Sequence, residues 1–454
     1  MTQLFSAKRR ILGPIGLLLV LSGCGASPDR GASSEGGSTA GGASGSAGSG
    51  GATTHPAGGS AMGGAGSGGT MTAGGGSGGS SGAGGSSGKG GGPQVGTECG
   101  GIAIPMGTGG PSGGALGTWT NVTPAAISLA EGNDNFGVQD ILVDPVRPND
   151  FYGFVCHQGV YKSTDYGQTW TKINTGQNGD RIDSGKPWGE GIDSNRCRDP
   201  NTPPTLYSAG SQNQFWKSTN GGVDWTGHDL PNDGKDRPQD VYDVDVDPYD
   251  GTHLLAGFHE ENGLAHSTDG GETWSSVTLD AGMDGGVSWY PFFIDTGDPE
   301  TTRNTWIDIP QAGGPGTWRT TNGGQSWTRV DGNTHNHGAS QIFQYQGVVY
   351  MAGVYSDLGW GVLRSTDFGA SWERVGPYGA QTVVYGTPNY VYAQASLGAD
   401  QANAIRGAQP GTEWAVWPLT MSDGPKRAAV SYDGSNHVIV GGNWLAGIWR
   451  YVEP

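Results

Sequence analysis

The chain reads as an all-β protein, a single seven-bladed β-propeller with N- and C-terminal strands closing the last blade. Three observations predict this. A nine-residue segment ending in Trp recurs at near-regular spacing, short apolar strands flank each copy, and the C-terminal unit lacks a strand that residues 117–124 can supply.

The recurring segment has five close copies: Lys162 to Trp170, Lys217 to Trp225, His266 to Trp274, Arg319 to Trp327 and Arg364 to Trp372. A sixth, Arg406 to Trp414, is degenerate. Each close copy carries Ser or Thr, then Asp or Asn two residues later, then Gly, then Trp. That order suits a tight turn. The short polar side chain bonds nearby backbone N–H groups, Gly accepts positive φ, and Trp covers the hairpin. These residues resemble the Asp-box, or BNR repeat, of the sialidase/xyloglucanase-like propeller superfamily, which also includes non-enzymatic propellers.

Seven third-strand starts precede the repeats or stand where one is due: Gly159, Gln214, Gly263, Gly316, Gly361, Asn403 and Gly447. Only six repeats are followed by a fourth strand, because the last unit stops at Pro454. Gly117-Thr-Trp119-Thr-Asn-Val-Thr-Pro124 reads like the missing one. Pairing it with the last unit removes the free sheet edge that an open array would expose. Val138 to Asp144 and Val241 to Asp247 alternate with period two and end in Asp-Pro turns, as inner strands would. Phe151 to Val155 and Leu254 to Phe258 read as second strands. No convincing amphipathic helix is present.

Four segments follow: residues 1–24 as a lipoprotein signal peptide, 25–98 as a disordered linker, 99–116 as a lead-in and 117–454 as the propeller. Lys8, Arg9 and Arg10 precede a short apolar stretch, Ile11 to Leu21, too short for a transmembrane span. Leu21-Ser22-Gly23-Cys24 resembles the bacterial lipobox, which implies lipidation at Cys24. In a Gram-negative organism, Gly25 rather than Asp at the next position implies the outer membrane. The linker holds few large apolar side chains and cannot offset its ordering entropy by burial. As a flexible coil it would span on the order of 45–50 Å.

The net charge of −18 disfavours nucleic acid, whose recognition draws on Lys and Arg at phosphates. Cys99, Cys156 and Cys197 remain after Cys24, an odd number, and Cys156–Cys197 is the preferred disulfide. Their spacing does not suggest a metal site. No cofactor is expected, and the domain is expected to be a monomer.

Chemistry is expected on the face opposite the repeat turns. The resemblance implies that the box residues Asp165, Asp269 and Asp367 are structural, and that Asp144, Asp199 and Asp247 cap turns on that same face. Loops on the other face hold the ligand-binding candidates His157, Trp188, Glu190, His259, Trp289, Tyr290, His335, His337, Trp360 and Trp444. Aromatic rings beside carboxylates suit sugars, and they equally suit a protein partner. Glycoside hydrolysis needs two carboxyl groups flanking one bond. Asp140 and Asp243, each four residues before an Asp-Pro turn, and Glu260 are the catalytic candidates, with Asn195 taking the equivalent place in the intervening blade. His335 and His337 with Glu260 or Asp357 are too small a set to predict a metal.

The resemblance thus implies a surface-anchored propeller that binds or cleaves an extracellular carbohydrate. The alternative is a non-catalytic scaffold for an envelope protein. An enzyme of this kind would be a glycoside hydrolase, with a polysaccharide lyase as second choice. Sialidase activity is not expected, because the Arg-Ile-Pro motif is missing and Arg181-Ile-Asp departs from it. The xyloglucanase type uses two propellers around a cleft, and this chain has room for one, so no catalytic pair carries over.

Overall fold

The computed structural model describes residues 112–130, 135–185, 189–211, 214–231, 241–258, 263–283, 289–309, 316–332, 342–353, 358, 361–376, 383–394, 404–417, 421, 424–425, 427–443 and 446–454. They form seven antiparallel sheets of four strands each. Blade 1 runs outward from Val138–Val143 through Phe151–Val155 and Gly159–Ser163 to Thr171–Lys172. Blades 2 to 6 repeat that order, with inner strands Gly191–Ile192, Val241–Val246, Pro291–Phe293, Phe343–Tyr345 and Val383–Gly386. Blade 7 takes Arg427–Tyr432, His437–Asn443 and Gly447–Val452 from the C-terminus and its outer strand, Trp119–Asn121, from the other end.

The ring closes as the sequence predicts. Trp119 pairs with Tyr451, Thr120 with Arg450 and Asn121 with Trp449. Gly117 N–H donates to the Val452 carbonyl at 2.8 Å, and Val122 N–H donates to Ile448 at 2.9 Å. Trp119, 5% exposed, fills the space between Trp417 and Tyr451. Ser112 reaches further back, donating from both N and Oγ to Asp433 at 2.7 Å.

Alternation along the strands builds the core between blades. In blade 1, Phe151 and Val155 face blade 7, packing with Val438 and Val440. Tyr152 and Phe154 face blade 2, packing with Leu206 and Trp225. Because a strand shows opposite faces at successive residues, each sheet seals two interfaces. One such cluster lies at every interface around the ring.

The repeat turns lock those interfaces. In the third copy, Ser267 Oγ accepts from Gly271 N–H at 2.9 Å and Asp269 Oδ1 from Thr273 N–H at 2.9 Å, while Trp274 Nε1 donates to the Gly271 carbonyl at 3.1 Å. Gly271 has φ of 83°, and a Cβ there would stand 2.5 Å from Phe215 of blade 2. Glycine is needed twice over, for the dihedral and for the close approach. Gly167 meets Val440 and Gly369 meets Ile307 in the same way.

Among the described residues, two short α-helical turns interrupt the strands, Gly179–Asp183 and Pro299–Asn304. The expected Cys156–Cys197 bridge is not made: Cys156 is a buried thiol, and Cys197 is disulfide-bonded. Sequence spacing carried no information on which cysteines converge in space.

Candidate functional site

The two faces are built from different connections. Turns between first and second strands meet the repeat turns on one face. Tyr166 N–H donates to the Asn149 carbonyl there, and Gly270 N–H to Thr252. Loops between second and third strands, with the inter-blade connections, form the other.

On the repeat face the carboxylates are committed to structure. Asp144, Asp199 and Asp247 accept from the backbone N–H two residues on, at 2.8–2.9 Å, as turn caps. Asp144 also takes the Arg198 guanidinium of blade 2 at 2.5 and 2.7 Å, an ion pair buried between blades. The Asp269 carboxyl is held down at about 2, chiefly by the Thr273 hydroxyl and N–H. A depression between blades 2 and 3 on this face is lined by Tyr207, Lys217, Tyr249 and Asp250. Their polar atoms already bond Gly251, Glu272, Asp295 and Arg303 respectively. This depression is therefore read as packing.

At the other end of the inner strands the acids converge. Asp140, in blade 1, is fully buried; its Oδ1 accepts from Ile141 N–H at 2.8 Å and its Oδ2 from Glu190 N–H at 3.0 Å. Glu190, leading into blade 2, accepts from Ala209 N–H at 2.8 Å. Its neighbour Gly189 lies so close to blade 3 that a Cβ would stand 2.7 Å from the Asp243 Cα. Asp140, Glu190 and Asp243 thus stand together at the loop-face end of three successive blades.

The equivalence expected in blade 2 needs correction. Asp193 N–H donates to the Thr205 carbonyl as Asp144 N–H does to Asp150 and Asp247 N–H to His253. Asp193 is therefore the counterpart of Asp144 and Asp247, and Gly189 that of Asp140. Asn195 lies in the turn on the repeat face, where its N–H donates to Asp193. The Asp199-Pro200 pair inside an enlarged turn was a decoy.

Two aromatic candidates also move. Trp289 is 0% exposed among Phe293, Trp306 and Trp318, and Tyr290 is 1% exposed against Tyr242 at 5.1 Å. Both are interior packing residues at blade interfaces, because this stretch leads straight into the inner strand Pro291–Phe293. His157, half-buried with φ of 55°, has Nδ1 3.1 Å from the Ser184 carbonyl, at the edge of the helical turn Gly179–Asp183. Trp188, His259, Glu260, His335, His337, Trp360, Trp444 and Cys24 lie outside the described residues.

Two residues of the convergence were missed from sequence. Arg427, opening the inner strand of blade 7, reaches across the axis; its Nη2 lies 3.5 Å from Asp243 Oδ1 of blade 3. Asp308, ending the second strand of blade 4, is 0% exposed. Burial holds its carboxyl well above the ordinary carboxylate range, against the pull of the Tyr290 backbone and with the Asp243 carboxylate adding to the rise. Among the described residues no group of three or more His, Cys, Asp or Glu side chains is disposed to hold a metal.

A family model of the BNR/Asp-box repeat matches residues 265–276, the hairpin of blade 3. Xyloglucanase Xgh74A of Acetivibrio thermocellus is 30% identical over 171 residues, 31% of this chain and 20% of that protein. The match therefore spans about a fifth of the length of that curated relative. The crystal structure of the GH74 xyloglucanase from Xanthomonas campestris superposes with a TM-score of 0.50 at 18% identity, covering 73% of this chain and 53% of that one. YCF48 from Cyanidioschyzon merolae gives a TM-score of 0.42 at 15% identity, over 74% of this chain and 99% of that one. Five repeat turns, seven closed blades and the matching hairpin agree: the chain is a seven-bladed β-propeller of the BNR/Asp-box repeat type.

Proposed function

We propose that this chain is an exported, lipid-anchored propeller whose loop face binds or cleaves a neutral extracellular carbohydrate. The observation that carries the reading is the sequence similarity to a xyloglucanase, which runs through 171 residues at 30% identity. The convergence of Asp140, Glu190 and Asp243 at the loop-face end supports it, because carboxyl groups there meet the chemistry that glycoside hydrolysis requires. Trp188, His259, Glu260, His335, His337, Trp360 and Trp444 would supply stacking and hydroxyl contacts from the surrounding loops, and Cys24 the lipid anchor.

Incubation of the lipid-free domain with a polysaccharide panel tests the reading. Retention in an affinity gel, or reducing-end product, is expected on a neutral β-glucan such as xyloglucan. Neither on any glycan would sink it. Once turnover is found, Glu260→Gln separates enzyme from binder. Cys24→Ala should release the protein from the membrane fraction.

A second reading, the non-catalytic scaffold for an envelope protein, is favoured by one observation. Asp140 and Glu190 spend carboxylate oxygens on backbone N–H groups, which is what structural acids do. Recovery of a specific envelope protein with the lipidated chain, with no glycan retained or cleaved, would favour this reading over the carbohydrate one.

A further inference from the structure

We propose that a disulfide between Cys99 and Cys197 ties the start of the propeller to blade 2 and carries tension from the preceding linker past the strand that closes the ring. The proposal rests on the lipid-anchored reading above in one respect, that Cys24 gives its sulfur to the lipid.

The chain has four cysteines, Cys24, Cys99, Cys156 and Cys197. Cys197 is disulfide-bonded, and Cys156 is a buried thiol. These two stand on opposite faces. Cys156 N–H donates to the Gly137 carbonyl at the loop-face end of blade 1, whereas Cys197 N–H donates to the Asn195 side chain in the repeat-face turn of blade 2. The partner of Cys197 is therefore Cys24 or Cys99, both outside the described residues. A cysteine sulfur that carries a lipid is a thioether and forms no disulfide, which leaves Cys99.

The course of the chain agrees. Ser112 is held on the repeat face at the seam between blades 7 and 1. Its N–H and hydroxyl donate to Asp433 at 2.7 Å, and Arg450, which donates to its carbonyl at 3.4 Å, also donates to the Tyr166 carbonyl at 2.8 Å. Asp433 lies in the turn between the first and second strands of blade 7. Cys197 lies, exposed, in the corresponding turn of blade 2, with blade 1 between them. Packed sheets stand about 10 Å apart, so that crossing takes on the order of 20–30 Å. The stretch from Cys99 to Ser112 can extend to about 45 Å.

The bond changes where tension acts. The ring-closing strand Trp119–Asn121 is held through three residue pairs and follows directly on the linker and lead-in. A pull on the linker would peel it from its edge one pair at a time. With Cys99 joined to Cys197, the covalent path runs from the linker into blade 2. Residues 100–196, the ring-closing strand and blade 1 included, then lie outside it. In forming the bond each thiol gives up one proton and one electron, and the electron pair reduces the disulfide of an exported thiol–disulfide oxidoreductase to its dithiol.

Peptide mapping of the full chain, alkylated and digested without reduction, tests the bond. A single cross-linked pair, Cys99 with Cys197, is expected. Cys197 found alkylated, or joined to Cys24 or to a second chain, would overturn the proposal. A Cys99–Cys197 link beside an unmodified Cys24 would support the bond and defeat the lipid anchor instead. Magnetic tweezers, pulling the full chain between its linker and its C-terminus, test the role. The unfolded parent should be shorter by about 330 Å than the same molecule after reduction, because residues 100–196 leave the loaded path. Cys99→Ser should add an early, low-force step as the ring-closing strand peels away, and Cys156→Ser should not. A Cys99→Ser chain that opens at the parent's force, without that step, would overturn the load-bearing role.

Discussion

The two faces of this propeller use the same residue types for opposite ends. On the repeat face, Asp144, Asp247 and Asp269 each meet backbone N–H groups and a hydroxyl, a guanidinium or an imidazole at short range. Position after position repeats that arrangement around the ring. On the loop face, Asp308 is buried more completely than Asp269 and has less to bond. A carboxylate that folding needs is provided with donors by the chain. One that the chain leaves undersupplied costs stability, and such a cost is retained where function gains from it.

This contrast can be broken by removing one acid from each face. Asp144→Ala on the repeat face carries the largest expected effect. It leaves the buried Arg198 guanidinium without its closest partner and opens the seam between blades 1 and 2. Breaking a buried pair from one side costs about 3–5 kcal/mol. Arg198 keeps the Thr202 carbonyl at 3.1 Å and Asp193 at 3.4 Å, which places the loss at the lower end, about 3 kcal/mol. Urea denaturation followed by Trp fluorescence measures it. A loss below about 1 kcal/mol would mean that the repeat face is no better tied than the other.

Next in size is Gly271→Ala in the third repeat turn. The added methyl would stand 2.5 Å from Phe215 while the backbone holds φ of 83°. Positive φ at a non-glycine residue and overpacking together cost about 2–4 kcal/mol. Gly434 is the control that isolates the dihedral: φ is 91°, yet an added Cβ would meet nothing within 4 Å. Its alanine variant should lose about 1 kcal/mol.

The repeats were the most legible part of the sequence because their turn chemistry is local. Asp165 and its Ser, Gly and Trp partners lie within eight residues of one another, so the pattern survives in the linear text. Strand alternation then marked the inner strands Val138 to Asp144 and Val241 to Asp247, and the unit missing its fourth strand pointed to Trp119. The loop-face site was legible only in part. Asp140 and Asp243 were chosen as candidates through their offset from an Asp-Pro turn, and the fold brings both beside Gly189 and Glu190. The same rule misplaced Asn195, because the blade 2 turn is enlarged and carries a second Asp-Pro. Asp308 sits in Trp306-Ile-Asp-Ile, where it looks like the polar member of an alternating strand. Arg427 meets Asp243 across 184 positions of chain, a relation that only closure of the ring creates. Trp289 and Tyr290 were misread as surface aromatics because a short inner strand begins immediately after them.

A smaller effect sharpens the contrast through pH. His266 stands where other repeats carry Lys or Arg, and its imidazole lies against that of His253, which in turn faces Asp247. Burial, with His253 beside it, pushes the His266 pKa down to about 4. Its folded value is therefore below the unfolded one. The unfolded chain takes up the proton first as pH falls, so stability is complete above pH 6.5 and is lost between about 6.5 and 4. Allowing for the partial exposure of the ring, the loss is about 1–2 kcal/mol. His266→Gln should flatten the unfolding midpoint over that interval. A variant with the parent's pH profile would place the dependence elsewhere.

Asp308→Asn is expected to change stability least at acid pH, and it closes the comparison from the other side. Burial, with the Asp243 carboxylate adding to it, raises the Asp308 pKa well above the ordinary range. Replacing it by an amide of the same shape removes no ion pair among the described residues and keeps an oxygen facing the Tyr290 and Ile309 backbone. A change of about 0.5 kcal/mol or less follows at acid pH, below the unfolded pKa, where the carboxyl holds its proton in both states. The sign of the pH effect is opposite to that at His266 in its range. The folded pKa exceeds the unfolded one, so the parent is stabilised by its proton below the unfolded value and loses stability relative to the Asn variant as pH rises. Denaturation of both proteins at pH 3, 5 and 7 reads this directly: the Asn variant should match the parent at the lowest pH and gain on it as pH rises. If it loses several kcal/mol at pH 7 instead, Asp308 is ionised and held by partners, and the loop face is tied in the same manner as the repeat face.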